Sequence, residues 1–264
     1  MQPKPDFWGK QFATRFQNQN VVDRYHLRAK YPPETFRILA NLITDEPRVL
    51  LDAGSGTGDV ARHMLDYAER IDAVDISIPM MERGKALPGG DSPKIRWLHG
   101  AIEDISLSPP YALVTTGQSL HWMDWGIVLP RFARLLTPHG MLAVVDVEVV
   151  PTTGSEDLLK IIRRFSTNPH YQPVDIIEEL EKRQLFQKEG ESSTAPVPFE
   201  QSVEDQIEGF HSQSSLSRDH MTPENAAAFD AEMRELLNLH AQDGKITIQV
   251  YSHIVWGKPL GANR

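Results

Sequence analysis

The run Val49-Leu50-Leu51-Asp52-Ala53-Gly54-Ser55-Gly56-Thr57-Gly58 most constrains what this 264-residue chain can fold into. Its β-prone apolar residues lead into an Asp and then into three glycines separated by small residues. A short apolar run closed by glycine reads as a buried strand followed by a tight turn. Glycine admits positive φ and lets a ligand approach with no Cβ in the way. After Asp59 come the helix formers Val60, Ala61, Arg62, His63, Met64 and Leu65. The turn therefore ends at a helix start, where unpaired N–H groups favour a negative group such as a carboxylate.

The spacing separates this turn from its relatives. The glycines fall as G-x-G-x-G after Asp52, whereas a dinucleotide fingerprint reads G-x-G-x-x-G. That disfavours a nicotinamide-dependent oxidoreductase. No Lys follows Gly58, so the turn is not a phosphate loop ending in G-K-[ST]. The next apolar segment, residues 70–75, closes on Asp75. A carboxylate has only acceptor sites, and at a strand's C-terminal end it can take both hydroxyls of a ribose. The other reading of Asp75 is a turn or helix-capping residue. Ile76, Ile78 and Met80 follow, apolar side chains suited to the face of a purine.

Strands are expected at 48–51, 70–75, 95–99, 111–116 and 141–147, with helices at 60–69 and 127–136 among the connections. Strands alternating with helices predict an α/β fold, a doubly wound and mostly parallel seven-stranded sheet with ligands at the strands' C-terminal ends. From 151 to 244 the alternation breaks. Helical patterns fall at 155–165, 174–183, 203–211 and 223–241, with one core strand near 192–200. Residues 245–256 alternate apolar and polar and read as an antiparallel last strand. The division expected is an N-terminal helical arm or lid (1–34), an α/β core (35–150), a mostly helical cap insertion (151–244) and a final strand and tail (245–264). The arm carries Phe7, Trp8, Phe12, Phe16, Tyr25 and Tyr31 in a polar setting, a pattern that fits packing over something.

A net charge of −9 argues against a nucleic-acid surface, which needs clustered Lys and Arg. The partner expected is a small molecule, with no nucleic acid and no membrane, and monomer or homodimer is left open. Cysteine is absent, so no disulfide, thiolate nucleophile or Cys-ligated metal is available, and no metal site is expected. That suits a reducing cytoplasm. Met1–Asp6 has no apolar core of a leader peptide, and no apolar run reaches the roughly 18 residues that span a bilayer.

Taken together, Asp52–Gly58, Asp75, the turn Gly100–Glu103 and Leu135-Leu136-Thr137-Pro138-His139-Gly140-Met141-Leu142 resemble successive motifs of the class I S-adenosyl-L-methionine (SAM)-dependent methyltransferases. The last is similar to L-x-P-G-G-x-L, with His139 in place of the first Gly. Arg28-Ala29-Lys30-Tyr31-Pro32 is similar to an R-P-x-Y-P arm. Ser119-Leu120-His121-Trp122 resembles the S-x-H-W segment of the trans-aconitate methyltransferase-like group, and Phe210–Arg218 resembles a cap segment of that group. The resemblance implies SAM as cofactor and S-adenosylhomocysteine as product. It places the backbone of Gly54, Ser55 and Gly56 against the methionine and ribose portions and Asp75 on the ribose hydroxyls. Ile76, Met80 and Ile102 would hold adenine. Many relatives have an acidic residue at the position of Ala101 that contacts the adenine amino group; here that contact is lost or supplied by backbone. Thr116, Gly117 and Gln118 would lie beside the sulfonium, with Arg28 or Tyr31 at the amino-acid end. Asp52 would order the glycine loop.

Methyl transfer is an in-line displacement at a carbon already activated by positive sulfur, so holding the reactants aligned is the main task, worth roughly 7–11 kcal/mol in favourable intramolecular cases. A carboxylate acceptor needs no base; a hydroxyl is helped by one. His121, after strand four and titrating near neutrality, is the candidate, either as base or as a positioning group. Trp122 and Trp125 either wall the acceptor site or fill core. His211, Ser212, Ser215 and Arg218 either bind an anionic acceptor or face solvent. The function expected is methyl transfer to a small organic acceptor at oxygen; the alternative is a non-catalytic SAM-binding or regulatory protein on the same fold.

Overall fold

The computed structural model describes residues 4–152 and 154–261. Met1–Pro3, half of the segment read for a leader peptide, lie outside the described residues, as do residues 262–264 of the tail. The strands are β1 (Val49–Ala53), β2 (Arg70–Asp75), β3 (Ile95–His99), β4 (Tyr111–Gly117), β5 (Leu136–Val149), β6 (Phe186–Ser193), β7 (Val197–Ser202) and β8 (Lys245–Pro259). The helices are α1 (Lys10–Ala13), α2 (Gln19–Arg24), α3 (Pro33–Asn41), α4 (Asp59–His63), α5 (Ile78–Lys85), α6 (Trp125–Leu135), α7 (Ser155–Phe165), α8 (Ile176–Lys182), α9 (Val203–Phe210) and α10 (Pro223–Asn238).

β1 is buried along its whole length, and its parallel neighbours are β2 on one side and β4 on the other. The sheet order is β3-β2-β1-β4-β5-β8-β6, with β7 also on β8. The chain's direction of winding reverses between β1 and β4, and the crevice at such a switch point is where open α/β sheets bind ligands. One face of the sheet is covered by Trp125, Val128, Leu129 and Phe132 of α6 and by Leu180 of α8. The other is covered by Phe36 and Leu39 of α3 and Val60 and Ala61 of α4. A separate apolar cluster, including Ile207, Phe210, Phe229 and Met233, joins α9 and α10 in the 151–244 region, with α7 packed against it.

The sheet has eight strands rather than seven. β6 pairs with Val255–Pro259 and onward to His253, and β7 pairs with Lys245–Val250, both antiparallel to β8. They are collinear pieces of one edge, interrupted at Thr194-Ala195-Pro196. Proline removes a ladder donor, which breaks an edge strand without disturbing the centre of the sheet. The joint is stitched by hydroxyls. Thr194 N donates to Ser252 O and Ser252 N donates to Thr194 Oγ1, both at 3.0 Å. Thr35 Oγ1 of α3 donates to the fully buried Ser252 Oγ at 2.7 Å.

Two local differences have identifiable causes. α4 stops at His63 instead of continuing to 69, because Lys94 Nζ and Arg48 Nε take the carbonyls of Leu65 and Tyr67. Pro138–Gly140 does not separate helix from strand; β5 already begins at Leu136, with a register irregularity between Tyr111 and Leu113 of β4. Among the described residues no helix is long and apolar enough to cross a membrane. Replacing Ser252 with Ala leaves the Thr35 hydroxyl buried without its acceptor, and urea denaturation should show a loss of about 1–3 kcal/mol with an unchanged m-value.

Candidate active site

The glycine turn is built by a few hydrogen bonds. Gly54 N and Ser55 N both donate to Val74 O at 2.9 Å, which lays the turn across the end of β2. Gly54 has φ +71°, and a Cβ there would lie 2.5 Å from Ser119 Cβ. Gly56, at φ +54°, has room for a Cβ but needs the left-handed backbone. Beneath the turn, buried Asp52 accepts from Thr115 Oγ1 of β4 at 2.9 Å and from Ala61 N of α4 at 3.3 Å. Burial pushes its carboxyl up to about 7, against the pull of these two donors.

Asp75 ends β2 with both oxygens engaged by backbone amides. Its Oδ2 accepts from Gly56 N at 2.7 Å and its Oδ1 from Ser77 N at 2.8 Å. Each carboxylate oxygen keeps a further acceptor site. Burial raises the pKa of Asp75, while the amides of Gly56, Ser77 and Ile76 oppose the rise. Capping of α5 is done by Ser77, whose Oγ accepts from Met80 N at 3.3 Å. Asp75 is thus an Asx-type turn residue and still presents its carboxylate to the cavity.

That cavity has a volume of about 600 Å³. Gly54, Gly56, Asp75, Ile76, Met80, Ala101 and Ile102 form one wall, and Gln118, Ser119, Trp122 and Met123 another. A smaller void of about 30 Å³ adjoins it, lined by Ser55, Tyr31, Asp52 and Asp59 and sharing Gly54, Arg28, Gly117 and Gln118 with the larger space. Ser55 Oγ is buried here with no hydrogen-bond partner. The Arg28 guanidinium stacks over Tyr25 at 5.0 Å and Phe16 at 5.9 Å, and no carboxylate among the described residues pairs with it. A Cβ on Gly117 would lie 2.6 Å from Tyr31 Oη, so the arm descends onto the end of β4.

The arm roofs the cavity with Lys10, Ala13, Thr14, Phe16 and Gln17, none of them singled out from sequence as site residues. The aromatics flagged the arm; nothing in the pattern said which of its residues turn inward. Glu103, Asp104 and Asp124 on the rim were also not anticipated. The arm is tied down along its length. Lys4 Nζ donates to the carbonyls of His121, Trp122 and Met123 at 3.1, 2.8 and 3.1 Å. Arg15 Nη1 donates to Thr167 Oγ1 and Ser214 O, both at 2.7 Å, and Arg24 Nε to Glu208 Oε2 at 2.5 Å.

Residues 50–140 match the family described as "Methyltransferase domain". A 119-residue stretch is 31% identical to an uncharacterized methyltransferase of Mycobacterium tuberculosis, covering 45% of this chain and 46% of that one. Another, of 114 residues, is 32% identical to the tRNA 5-carboxymethoxyuridine methyltransferase of Escherichia coli, covering 41% and 43%. The chain therefore spans less than half the length of the curated relatives it matches. A solved structure of a candidate type II methyltransferase from Anaeromyxobacter dehalogenans superposes with a TM-score of 0.61 over 88% of this chain and 97% of that one. At 19% identity this last likeness concerns the fold. Residues 50–140 are thus similar to a methyltransferase domain, within a fold shared with solved methyltransferase structures.

Several anticipated site residues stand outside the cavity. His121 does not line the cavity; its ring packs 5.8 Å from Trp8 and 4.4 Å from Trp122. Burial, with Lys4 and Arg28 adding to it, pushes His121 down to about 3, so it is neutral at physiological pH and a weak base. Trp125 is core: its Nε1 donates to Leu120 O at 2.9 Å and its ring lies 5.7 Å from Trp8. Trp122 does line the cavity. Thr116 is fully buried within β4, its Oγ1 3.5 Å from Ala143 O. His211 has both ring nitrogens engaged, with Leu216 O and with Asp230 Oδ1, each at 2.7 Å. Arg218 is paired with Glu208 and Asp230, and Ser215 O accepts from Thr167 N. Sequence shows that such residues are polar or aromatic, and only packing decides which way they turn. Gly54→Ala adds a disfavoured backbone conformation to a clash with Ser119; thermal melting should show a stability loss of about 1–3 kcal/mol.

Proposed function

We propose that the protein transfers the methyl group of SAM to a small organic acceptor at oxygen. The observation that carries this reading is the cavity at the strands' C-terminal ends and its chemistry. Asp75 offers acceptor sites for two ribose hydroxyls; Ile76, Met80 and Ile102 offer apolar surface for adenine. Ala101 has no side-chain acceptor for the adenine amino group, which is left to main chain or to Glu103 and Asp104 on the same wall. The unpartnered Ser55 Oγ and the unpaired Arg28 guanidinium suit the amino-acid end, with Tyr31 and Gln118 beside it. When bound, SAM supplies a methyl group on positively charged sulfur. The chain's share is to hold donor and acceptor in line and to keep water out, and the arm over the cavity is the element placed to do the latter.

A small acceptor fits two features. The arm is fastened over the strand ends, and the net charge of −9 would repel a polynucleotide. The relative that is a tRNA methyltransferase favours a second reading, an RNA acceptor. Calorimetry should give SAM and S-adenosylhomocysteine affinities in the micromolar-to-millimolar range usual for enzyme substrates, weakened at least about tenfold by Asp75→Ala. Equal affinity in the two proteins would sink the pocket assignment. With methyl-labelled SAM, a panel of small hydroxy and carboxylic acids should take up label and bulk tRNA should not. Label in tRNA would move the reading to RNA, and binding without any labelled product would support the regulatory alternative.

A further inference from the structure

The two voids of the site share a border, and that border locates the reacting atoms. Asp75 and Ile76 line only the larger void, so the ribose and base of the methyl donor belong there and its amino-acid end belongs in the smaller one. Sulfur is bonded to both portions and lies where the voids join. Five residues line both: Gly54, Gly117, Gln118, Tyr25 and Arg28. Only Tyr25 and Arg28 among them are ionisable, and neither is a base: a phenol already carries its proton and a guanidinium is full.

The other titratable groups are spent or set back. Asp75 is held by Gly56 N and Ser77 N. In the smaller void Asp52 is engaged by Thr115 and Ala61, while Asp59 is paired with Arg62 at 2.7 Å and lies 3.9 Å from Lys30. Tyr31 beside them is a second phenol. Glu103, Asp104 and Asp124 stand on the rim and Lys10 on the roof. His121 feels the charge of Arg28 but lines neither void.

Arg28 follows the short turn Tyr25–Leu27 and is half-buried. Its guanidinium lies 5.0 Å over Tyr25 and 5.9 Å over Phe16, and Phe16 meets Trp122 edge-on at 5.8 Å. All three rings line the larger void beside it, a wall suited to a flat aromatic body. Among the described residues the guanidinium has neither a hydrogen bond nor an ion pair. A half-buried cation of this kind is costly until an anion reaches it.

We propose that the acceptor is a phenol and that Arg28 is the catalytic residue that holds its oxygen as the phenolate. This rests on the methyltransferase reading above. The phenol gives its proton to solvent as its oxygen docks on the guanidinium, because an opposite charge close by favours the ionised form. The guanidinium has five N–H donors, enough to serve the donor's amino-acid carboxylate as well. The phenolate oxygen bonds to the methyl carbon, the carbon–sulfur bond breaks and its electron pair stays on sulfur. One proton is released per methyl transferred, before the transfer, and no protein base takes part.

The test uses 4-nitrophenol, whose colour reports its ionisation, with protein saturated by 5′-methylthioadenosine. That nucleoside has neither a charged sulfur nor an amino-acid end, so it makes no demand on Arg28 and any change in the probe's titration comes from the protein. Bound to wild type, the probe should ionise at a pH about 1–3 lower than in buffer. Arg28→Lys should keep part of that change and Arg28→Met should abolish it. Phe16→Leu should keep it and bind the probe about threefold or more weakly. Melting curves show whether each variant is folded. The proposal fails if wild type binds 5′-methylthioadenosine but not the probe, or if the bound probe titrates as it does in buffer. It fails too if Arg28→Met, folded, titrates the probe as wild type does. If wild type binds neither 5′-methylthioadenosine nor S-adenosylhomocysteine, the cofactor reading fails instead.

Discussion

The buried carboxylate of Asp52 is the constraint on which the site depends. It joins the strand carrying the glycine turn to the strand beside it and to the helix after it, through Thr115 and Ala61. A buried carboxylate is costly unless its acceptor sites are filled, so those two donors must stay where they are. Their positions set where the turn crosses Val74 O, and that in turn brings Gly56 N to Asp75. The Asp75 carboxylate is thereby positioned by the chain's own backbone.

Much of the fold is legible in the sequence because it depends on short-range pattern. The apolar run at 49–53, the glycine spacing and the alternation after 245 each name one element, and Ser155–Phe165 is found with the bounds its periodicity suggests. The interrupted edge of β6 and β7 is less legible, since two prolines near Thr194 read equally as a loop. Among the anticipated residues that the structure brings to the cavity, Gly54, Gly56, Asp75 and Gln118 are tied to backbone geometry. Those it places elsewhere are side chains whose direction depends on distant partners. Trp125 turns inward because Asp124 caps α6 directly before it and Leu120 O takes its indole N–H. His211 is consumed by Asp230, nineteen residues on, which no local pattern reveals.

The arm and the 151–244 region behave as one polar assembly. Glu208 receives Arg24 from the arm and Arg218 from its own region; Arg218 reaches Asp230, and Asp230 holds His211. The Arg218 bond, with Arg24 helping, draws Glu208 down to about 2. Such linked pairs are worth more together than exposed single pairs, and they set the arm's register over the cavity.

The fifteen residues of β8 carry a consequence for access. One unbroken backbone pairs with β5 and β6 through one stretch and with β7, which leads into α9, through another. A shared rail of this kind cannot hinge without tearing main-chain hydrogen bonds from a central sheet. The helical region beyond β7 is thus a fixed jamb. The arm, residues 4–30, is held instead by side-chain bonds at Lys4, Arg15 and Arg24, which can part without disturbing the sheet.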